Sequence, residues 1–309
     1  MSDKKMILYM LDADPHPSPF DINVAYDCGY DVVIPMGKIT ENNIRKLIED
    51  AMFSRGEKGS KFTKVFLNGS NHAQIKRILK IARESMIPGF ELTICIDPRG
   101  GYTTGAALVA QVESDLGLIG KKELKDCKAV VFGGTGMVGQ TVAILCAKNG
   151  AETTILSRSL ERAEFTAEEL NRMYDIQLKH LAMGDELERA KICSDKDLIF
   201  TCGSAGVQLI SATTLHKIPA NKIYADSNAV PPLGIEGIDN YWKAMEYEKS
   251  YIYGALSIGK IKLKVEKLTL KEMMDAPGYD TYSFMEFYEY AKEIIQRKKD
   301  KKNDDSNSY

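Results

Sequence analysis

The sequence predicts an α/β protein of two domains built on parallel sheets, and three observations carry that expectation. Short apolar runs alternate with amphipathic helical stretches from end to end, the pattern of repeated strand–helix–strand units. The 309 residues, 44% of them hydrophobic, suffice for two ordinary domains, or one large one, burying about two-thirds to three-quarters of the unfolded surface. A polar stretch, 118–126 (LIGKKELKD), interrupts the alternation just before a strong apolar strand and marks the boundary.

Taken in order, strands are expected at 5–11, 31–35, 64–67, 91–96, 128–132, 152–157, 197–201 and 222–226, each a short apolar or β-branched run. Helices are expected at 41–53 and 71–86, where apolar residues recur at helical spacing, and at 137–149, which stops at Gly150. Residues 280–297 have helical periodicity and suit a helix returning to the first domain. The domains are therefore expected to be 1–119 with a C-terminal segment at about 258–297, and 120–257. The charged run from Lys298 (KKDKKNDDSNSY) reads as a flexible, solvated tail at 298–309.

The bulk properties narrow the function. A formal charge of -2 with 27% charged residues gives no bias toward nucleic acid or an anionic membrane, so a small-molecule partner is expected. The N-terminal apolar run MILYML is too short for a signal-peptide core and meets Asp12 and Asp14 at once, so it reads as a first strand. No stretch approaches the roughly 20 apolar residues of a membrane span. Cys28, Cys95, Cys127, Cys146, Cys193 and Cys202 are scattered without a C-x-x-C pair, which suits buried thiols in a reducing cytoplasm and no metal. His16, His72, His180 and His216 lack metal-ligand spacing, and no G-x-S-x-G elbow marks a serine hydrolase.

The strongest motif runs from Lys128 to Arg158 (KAVVFGGTGMVGQTVAILCAKNGAETTILSR): strand, Gly134-x-Gly136-x-x-Gly139, helix, helix stop, second strand. Gly134 is expected to permit the tight turn, Gly136 to let the backbone approach a pyrophosphate, and Gly139 to seat the helix against the strand. The helix N-terminus then offers unpaired N–H groups to the phosphates. A site for NAD(P) is expected here, from Gly134, Thr135, Gly136, Met137 and Val138. The second strand ends in Ser157-Arg158-Ser159 with no acid for a ribose 2′-hydroxyl, and Arg158 suits a 2′-phosphate. NADP is favoured, with NAD as a second cofactor; an ordinary exposed arginine is the plainer reading of Arg158.

Several further segments resemble the bacterial NAD(P)-dependent methylene-tetrahydromethanopterin dehydrogenases, relatives of the methylene-tetrahydrofolate dehydrogenases. They are DPHPSPFD at 14–21 followed by Gly29, DPRGGYTT at 97–104, the GGTGMVG loop, TCGSAG at 201–206, ADSNAVPPLGIEGID at 225–239 and GALSIGKIKLK at 254–264. The resemblance covers nearly the whole chain and implies a pterin-binding α/β domain, an NAD(P)-binding Rossmann domain and an active-site cleft between them. It implies a homo-oligomer, a homotrimer in particular, that oxidises methylene-tetrahydromethanopterin to the methenyl cation. By the same resemblance Lys262 takes the catalytic position, with Lys260 and Lys264 as neighbours in register. Its ammonium must sit at a carbonyl away from the developing cation or lose charge. K-x-K-x-K as a solvated face is the plainer alternative.

Asp14, Ser18, Asp21, Thr103 and Thr104 are the expected pterin contacts, against turn chemistry for the first three and a helix N-cap for the threonines. Cys202 and Gly203, in the TCGSAG segment, are implied by the resemblance to lie at the cofactor, and Asn228, which follows the late strand 222–226 at its carboxyl end, is expected there too. Residues 1–119 lack a Y-x-x-x-K arrangement of the kind that the bifunctional folate enzymes use for cyclohydrolase work, so dehydrogenase activity alone is expected, and Ser159 stands where some relatives carry a second basic residue. Tetrahydrofolate in place of tetrahydromethanopterin, or reduction of the pterin ring, is the nearest competing reading. A redox-sensing NADP-binding protein without turnover is the competitor from another class, since fold alone does not establish function.

Overall fold

In a computed structural model that describes residues 4–306, strands and helices alternate as the sequence predicts. In chain order they are β1 (Ile7–Asp12), α1 (Pro19–Cys28), β2 (Val32–Met36), α2 (Ile44–Phe53), α3 (Glu57–Ser60), β3 (Thr63–Asn68), α4 (His72–Glu84), β4 (Thr93–Ile96) and α5 (Gly101–Glu113). Then follow β5 (Lys128–Phe132), α6 (Met137–Lys148), β6 (Glu152–Ser157), α7 (Leu160–Tyr174), β7 (Leu178–Ala182), α8 (Glu186–Ser194), β8 (Leu198–Thr201), α9 (Ala212–Lys217) and β9 (Ile223–Asp226). The chain ends with β10 (Met245–Tyr247), β11 (Ser250–Tyr253), α10 (Ala255–Asp275), β12 (Thr281–Tyr282) and α11 (Phe284–Ser306).

Two compact units result: one runs to Thr103 and adds Leu263–Tyr290, the other comprises Thr104–Lys262 and the chain from Ala291 on. The polar stretch expected to mark the boundary lies inside the second unit, where Leu124–Asp126 forms one 3-10 turn.

The first unit holds a five-stranded sheet in the order β12-β4-β3-β1-β2, parallel throughout. β3 and β4 are buried at every position, as central parallel strands must be when both faces are covered. The order reverses between β1 and β3, and their last residues, Asp12 and Asn68, pair directly. In open α/β sheets ligands bind outside the carboxyl ends at such a reversal.

The second unit holds a seven-stranded sheet, β10-β11-β9-β8-β5-β6-β7, in which only β10 runs antiparallel to its neighbour. Its reversal falls between β5 and β8. Val130, Phe132, Leu156, Ile199 and Tyr224 form the core on one face. β5 and β6 match the expected boundaries at both ends. β7, β10 and β12 carry no predictive run: only Leu178 of β7 is buried, β10 has no buried residue and β12 has two residues; β11, buried at three of its four positions, is not among the expected strands.

All six cysteines are free and buried, as expected for thiols packed as small apolar groups. The run from Lys298, expected to be a flexible tail to residue 309, instead continues α11 to Ser306, and residues 307–309 of that expectation lie outside the described residues. Gln296 donates to Asp300 one turn on at 2.7 Å, and Lys299 Nζ reaches Asp115 Oδ1 at 2.9 Å, so polar pairs sustain a helix with little apolar surface to bury. Among the described residues no helix is long and apolar enough to cross a membrane.

Candidate functional site

β5 delivers the chain to Gly133, whose φ of +71° lies in the left-handed region. A Cβ there would stand 2.5 Å from the carbonyl oxygen of Cys202. The tight turn is therefore made by Gly133, one residue before the position that the motif spacing predicts. Gly134 has a packing role instead: its N–H donates to Leu156 O at 3.0 Å, and an added Cβ would meet Cβ of Ile155 at 2.5 Å.

Gly139 behaves as expected, since a Cβ would lie 2.3 Å from Gly133 O. At Gly136 the nearest protein atoms to an added Cβ are Gly133 O at 3.4 Å and Cys202 O at 3.9 Å, so the protein leaves that side uncovered. α6 starts at Met137, and its first-turn N–H groups have no acceptor one turn back within the helix. Thr135, Met137 and Val138 are half-buried at that end. An uncovered glycine beside a helix N-terminus fits a dinucleotide pyrophosphate.

A cavity of about 420 Å³ opens beside the turn. It brings together Thr135, Gly136, Ser157, Arg158, Ser159, Cys202 and Gly203, all expected, and adds Arg162, Arg189, Ser204 and Gln208. No Asp or Glu lines it. Gly134, Met137 and Val138 border the turn without lining the cavity. A larger cavity of about 740 Å³, lined by Gly150, Glu152, Leu178 and others, lies at the amino ends of β6 and β7, the wrong edge for a ligand in this fold.

Two expected cofactor residues act through the backbone or the loop rather than by presenting side chains. Burial pushes the Cys202 thiol well up, so it is a poor nucleophile, and its backbone forms the floor beneath Gly133. The Asn228 side chain accepts from Val230 N at 2.9 Å and Gly206 N at 3.3 Å and donates to Pro232 O at 2.9 Å. It builds the loop after β9 and does not line the cavity. Asp226 anchors the same loop, accepting from Thr201 Oγ1 at 2.8 Å, Gly234 N at 2.8 Å and Asn228 N at 3.0 Å.

At the carboxyl edge of the five-stranded sheet, Asp14 accepts from Arg99 Nε at 2.8 Å, Ser70 Oγ at 2.8 Å and Ser70 N at 3.0 Å. Burial works against ionisation, yet the bonds from Arg99 and Ser70 outweigh it and hold the Asp14 carboxyl below its usual range. Asp12 is fully buried, its Oδ2 has no hydrogen-bond partner, and Arg99 Nη2 stands 3.6 Å away. Desolvation pushes its pKa up. Asn68 Oδ1 accepts from the Arg99 N–H at 2.7 Å and helps hold that residue at φ +49°.

Other expected pterin contacts are committed to local structure. Ser18 caps α1, accepting from Asp21 N at 3.4 Å; Asp21 is buried and accepts from Asn68 Nδ2 at 2.6 Å. Thr103 lies inside α5, donates its hydroxyl to Asp97 at 2.6 Å and is 1% exposed; the capping side chain is Asp97, which accepts from Tyr102 N at 2.9 Å and Thr103 N at 3.1 Å, so Thr103 is not the N-cap itself. Thr104 is half-buried in α5.

Lys262 lies on α10. Ile258, Ile261, Val265, Glu266, Thr269, Leu270 and Met273 are buried at helical spacing, and Lys262 falls within that stripe and is half-buried. Lys260 and Lys264 are exposed, so the solvated-face alternative describes them and not Lys262.

The residues that motif reading missed are Arg99, Asn68 and Asp12 in the first unit and Arg162 and Arg189 in the second. Arg99 sits inside DPRGGYTT and Arg162 four residues past Arg158. Arg189 follows β7, a strand without an apolar run, and had no signal.

The methylene-tetrahydromethanopterin dehydrogenase N-terminal family profile matches residues 19–99. The chain is 32% identical over 290 residues, 94% of its length and 99% of the relative's, to "Bifunctional protein MdtA" of Methylorubrum extorquens. It is also 32% identical to the NAD(P)-dependent methylenetetrahydromethanopterin dehydrogenase of the same organism, again over 94% of this chain and 99% of that one. Shikimate 5-dehydrogenase from Listeria monocytogenes shares the fold, with a TM-score of 0.55 at 13% identity over 96% of this chain and 98% of that one. End-to-end identity at this level, together with a glycine turn and cavity that fit a dinucleotide, shows that the chain belongs to the NAD(P)-dependent methylene-tetrahydromethanopterin dehydrogenase family.

Proposed function

We propose that the chain catalyses the reversible oxidation of methylene-tetrahydromethanopterin to methenyl-tetrahydromethanopterin, with NADP preferred and NAD also used. The observation that carries the substrate is the 32% identity to a relative named for this reaction, spanning 99% of that relative. The NADP preference is supported by Arg158 beside Ser157 and by a cavity lining without a carboxylate.

The dinucleotide would be held by the open side of Gly136, the first turn of α6 and the residues around Ser157, and bound there it supplies the hydride acceptor. The reacting carbon of the pterin lies between two nitrogens, so loss of hydride leaves a charge delocalised over all three atoms. No proton leaves that carbon and no general base is required; the demand on the protein is alignment.

Asp14 and Thr104 are proposed to meet the pterin, with Ser18, Asp21 and Thr103 shaping the edge from behind through the caps and bonds described above. Lys262 is proposed to orient the pterin by hydrogen bonds to an oxygen remote from the cationic carbon, since an ammonium beside that carbon would oppose oxidation. The active form is proposed to be a homo-oligomer, a trimer in particular, acting in the cytoplasm.

The test is NAD(P)H absorbance with purified protein, methylene-tetrahydromethanopterin or methylene-tetrahydrofolate, and NADP or NAD. Turnover with the methanopterin substrate and the lower KM for NADP are expected. Turnover confined to the folate would reassign the substrate, and silence with both would leave only the family relationship standing.

A further inference from the structure

We propose that Arg189 is a specificity-determining residue: with Arg158 and Arg162 it forms a three-arginine receptor for the 2′-phosphate of the dinucleotide. The proposal rests on the reading of the cavity as an NADP site.

The three guanidinium-bearing residues reach one cavity from three places in the chain. Arg158 follows β6, Arg162 lies in the first turn of α7, and Arg189 comes from α8. The region of β6 and Ser157 is where this fold meets the adenosine ribose, away from the pyrophosphate at Gly136. Among the described residues no carboxylate is ion-paired with any of the three. Like charges gathered on one cavity repel, and a dianion among them relieves that repulsion.

Arg189 is also held in place by the backbone. Its Nε donates to Gly184 O at 3.2 Å and its Nη1 to Leu209 O at 2.9 Å. Leu209 is itself fixed by its N–H bond to Gly234 O at 2.8 Å. A guanidinium has five donors in a rigid plane, so two held by carbonyls leave others for a phosphate without further ordering. The nearby acids make no ion pair with it: Asp185 and Glu188 form a reciprocal cap, each accepting the other's backbone N–H at 2.9 Å. On the opposite side Ser159 caps α7, whose N-terminal dipole adds to the positive field.

The experiment is calorimetric titration of the full-length protein with 2′,5′-ADP and with 5′-AMP, which differ only in the 2′-phosphate. Wild type is expected to bind 2′,5′-ADP more tightly. Arg189→Gln is expected to weaken 2′,5′-ADP by about tenfold or more, the loss typical of a charge-assisted bond, and to leave 5′-AMP unchanged. Arg189→Lys should recover part of the loss, and Arg162→Gln should weaken 2′,5′-ADP in the same selective way. Equal weakening of both ligands in Arg189→Gln would reduce Arg189 to a structural tie between Gly184 and Leu209 and overturn the proposal. Unchanged 2′,5′-ADP affinity in that variant would also overturn it, with the NADP reading intact. A wild type that does not distinguish the two ligands would sink the NADP reading itself.

Discussion

Lys262 shows how a residue type can be legible in sequence while its orientation is not. K-x-K-x-K reads as a solvated stripe, but on α10 the middle lysine joins the buried row of Ile258, Ile261 and Val265, and its two neighbours do not. Lys262→Met is expected to lower kcat with the pterin by on the order of 100-fold, through lost alignment, while Lys260→Met and Lys264→Met stay near wild type in the same steady-state assay. Equal effects at all three positions would contradict the assignment. Thr103 went the other way: the residue was legible, and its hydroxyl serves Asp97 and the start of α5. Thr103→Val should cost about 1–3 kcal/mol of stability by leaving a buried carboxylate one donor short, with Thr103→Ser close to wild type in urea unfolding.

Among elements, those whose signal is local were readable and those defined by neighbours were not. β5 and β6 are continuous apolar runs because parallel strands are covered on both faces, and the sequence places both to the residue. β7 and β10 lie at the outside of their sheet and alternate too weakly to be seen. The glycine turn was legible as a motif, yet its geometry moved by one residue, because the left-handed turn is dictated by the Cys202 carbonyl, which belongs to a distant strand end. Gly133→Ala is therefore expected to lower both stability, by about 1–2 kcal/mol, and cofactor affinity. Gly136→Ala should lower cofactor affinity with an unchanged unfolding midpoint, since only the ligand side is filled. Thermal unfolding paired with NADP titration separates the two.

Lys64, at the start of β3, is an element-scale device as well. Its side chain is fully buried and donates to Ala276 O at 2.8 Å, just past the end of α10, and to Thr93 Oγ1 at 3.3 Å. Burial lowers its pKa to about 8, against partial compensation from Asp280 and Asp275. Between that value and the ordinary lysine range the unfolded chain binds the proton that the folded chain has released. Stability from this group therefore rises with pH from about 8 to about 10.5. Lys64→Met should remove that contribution, so the difference between wild-type and variant unfolding free energies should grow in favour of wild type across the interval. A difference that shrinks with rising pH would contradict the assigned direction.

For the molecule as a whole, the sequence shows that two parallel-sheet units exist, but the order of strands within each sheet is a property of the fold. That order puts reversals between β1 and β3 and between β5 and β8, and the proposed ligand edges lie at these reversals: Asp12, Asp14 and Arg99 in one unit, and Gly133, Arg158 and Arg189 in the other. Arg99 and Arg189 illustrate why the rest was not legible, since each matters through partners 85 and 20 residues away in the chain.

The most direct test of the central claim is transfer of label from the one-carbon unit. Methylene-tetrahydromethanopterin carrying two deuterium atoms on the methylene carbon is incubated with the protein and NADP, and the reduced cofactor is examined by mass spectrometry. NADPH carrying one deuterium at the nicotinamide and a methenyl product retaining the other are expected. Reduced cofactor without deuterium, or no reduction of either dinucleotide, would contradict the claim.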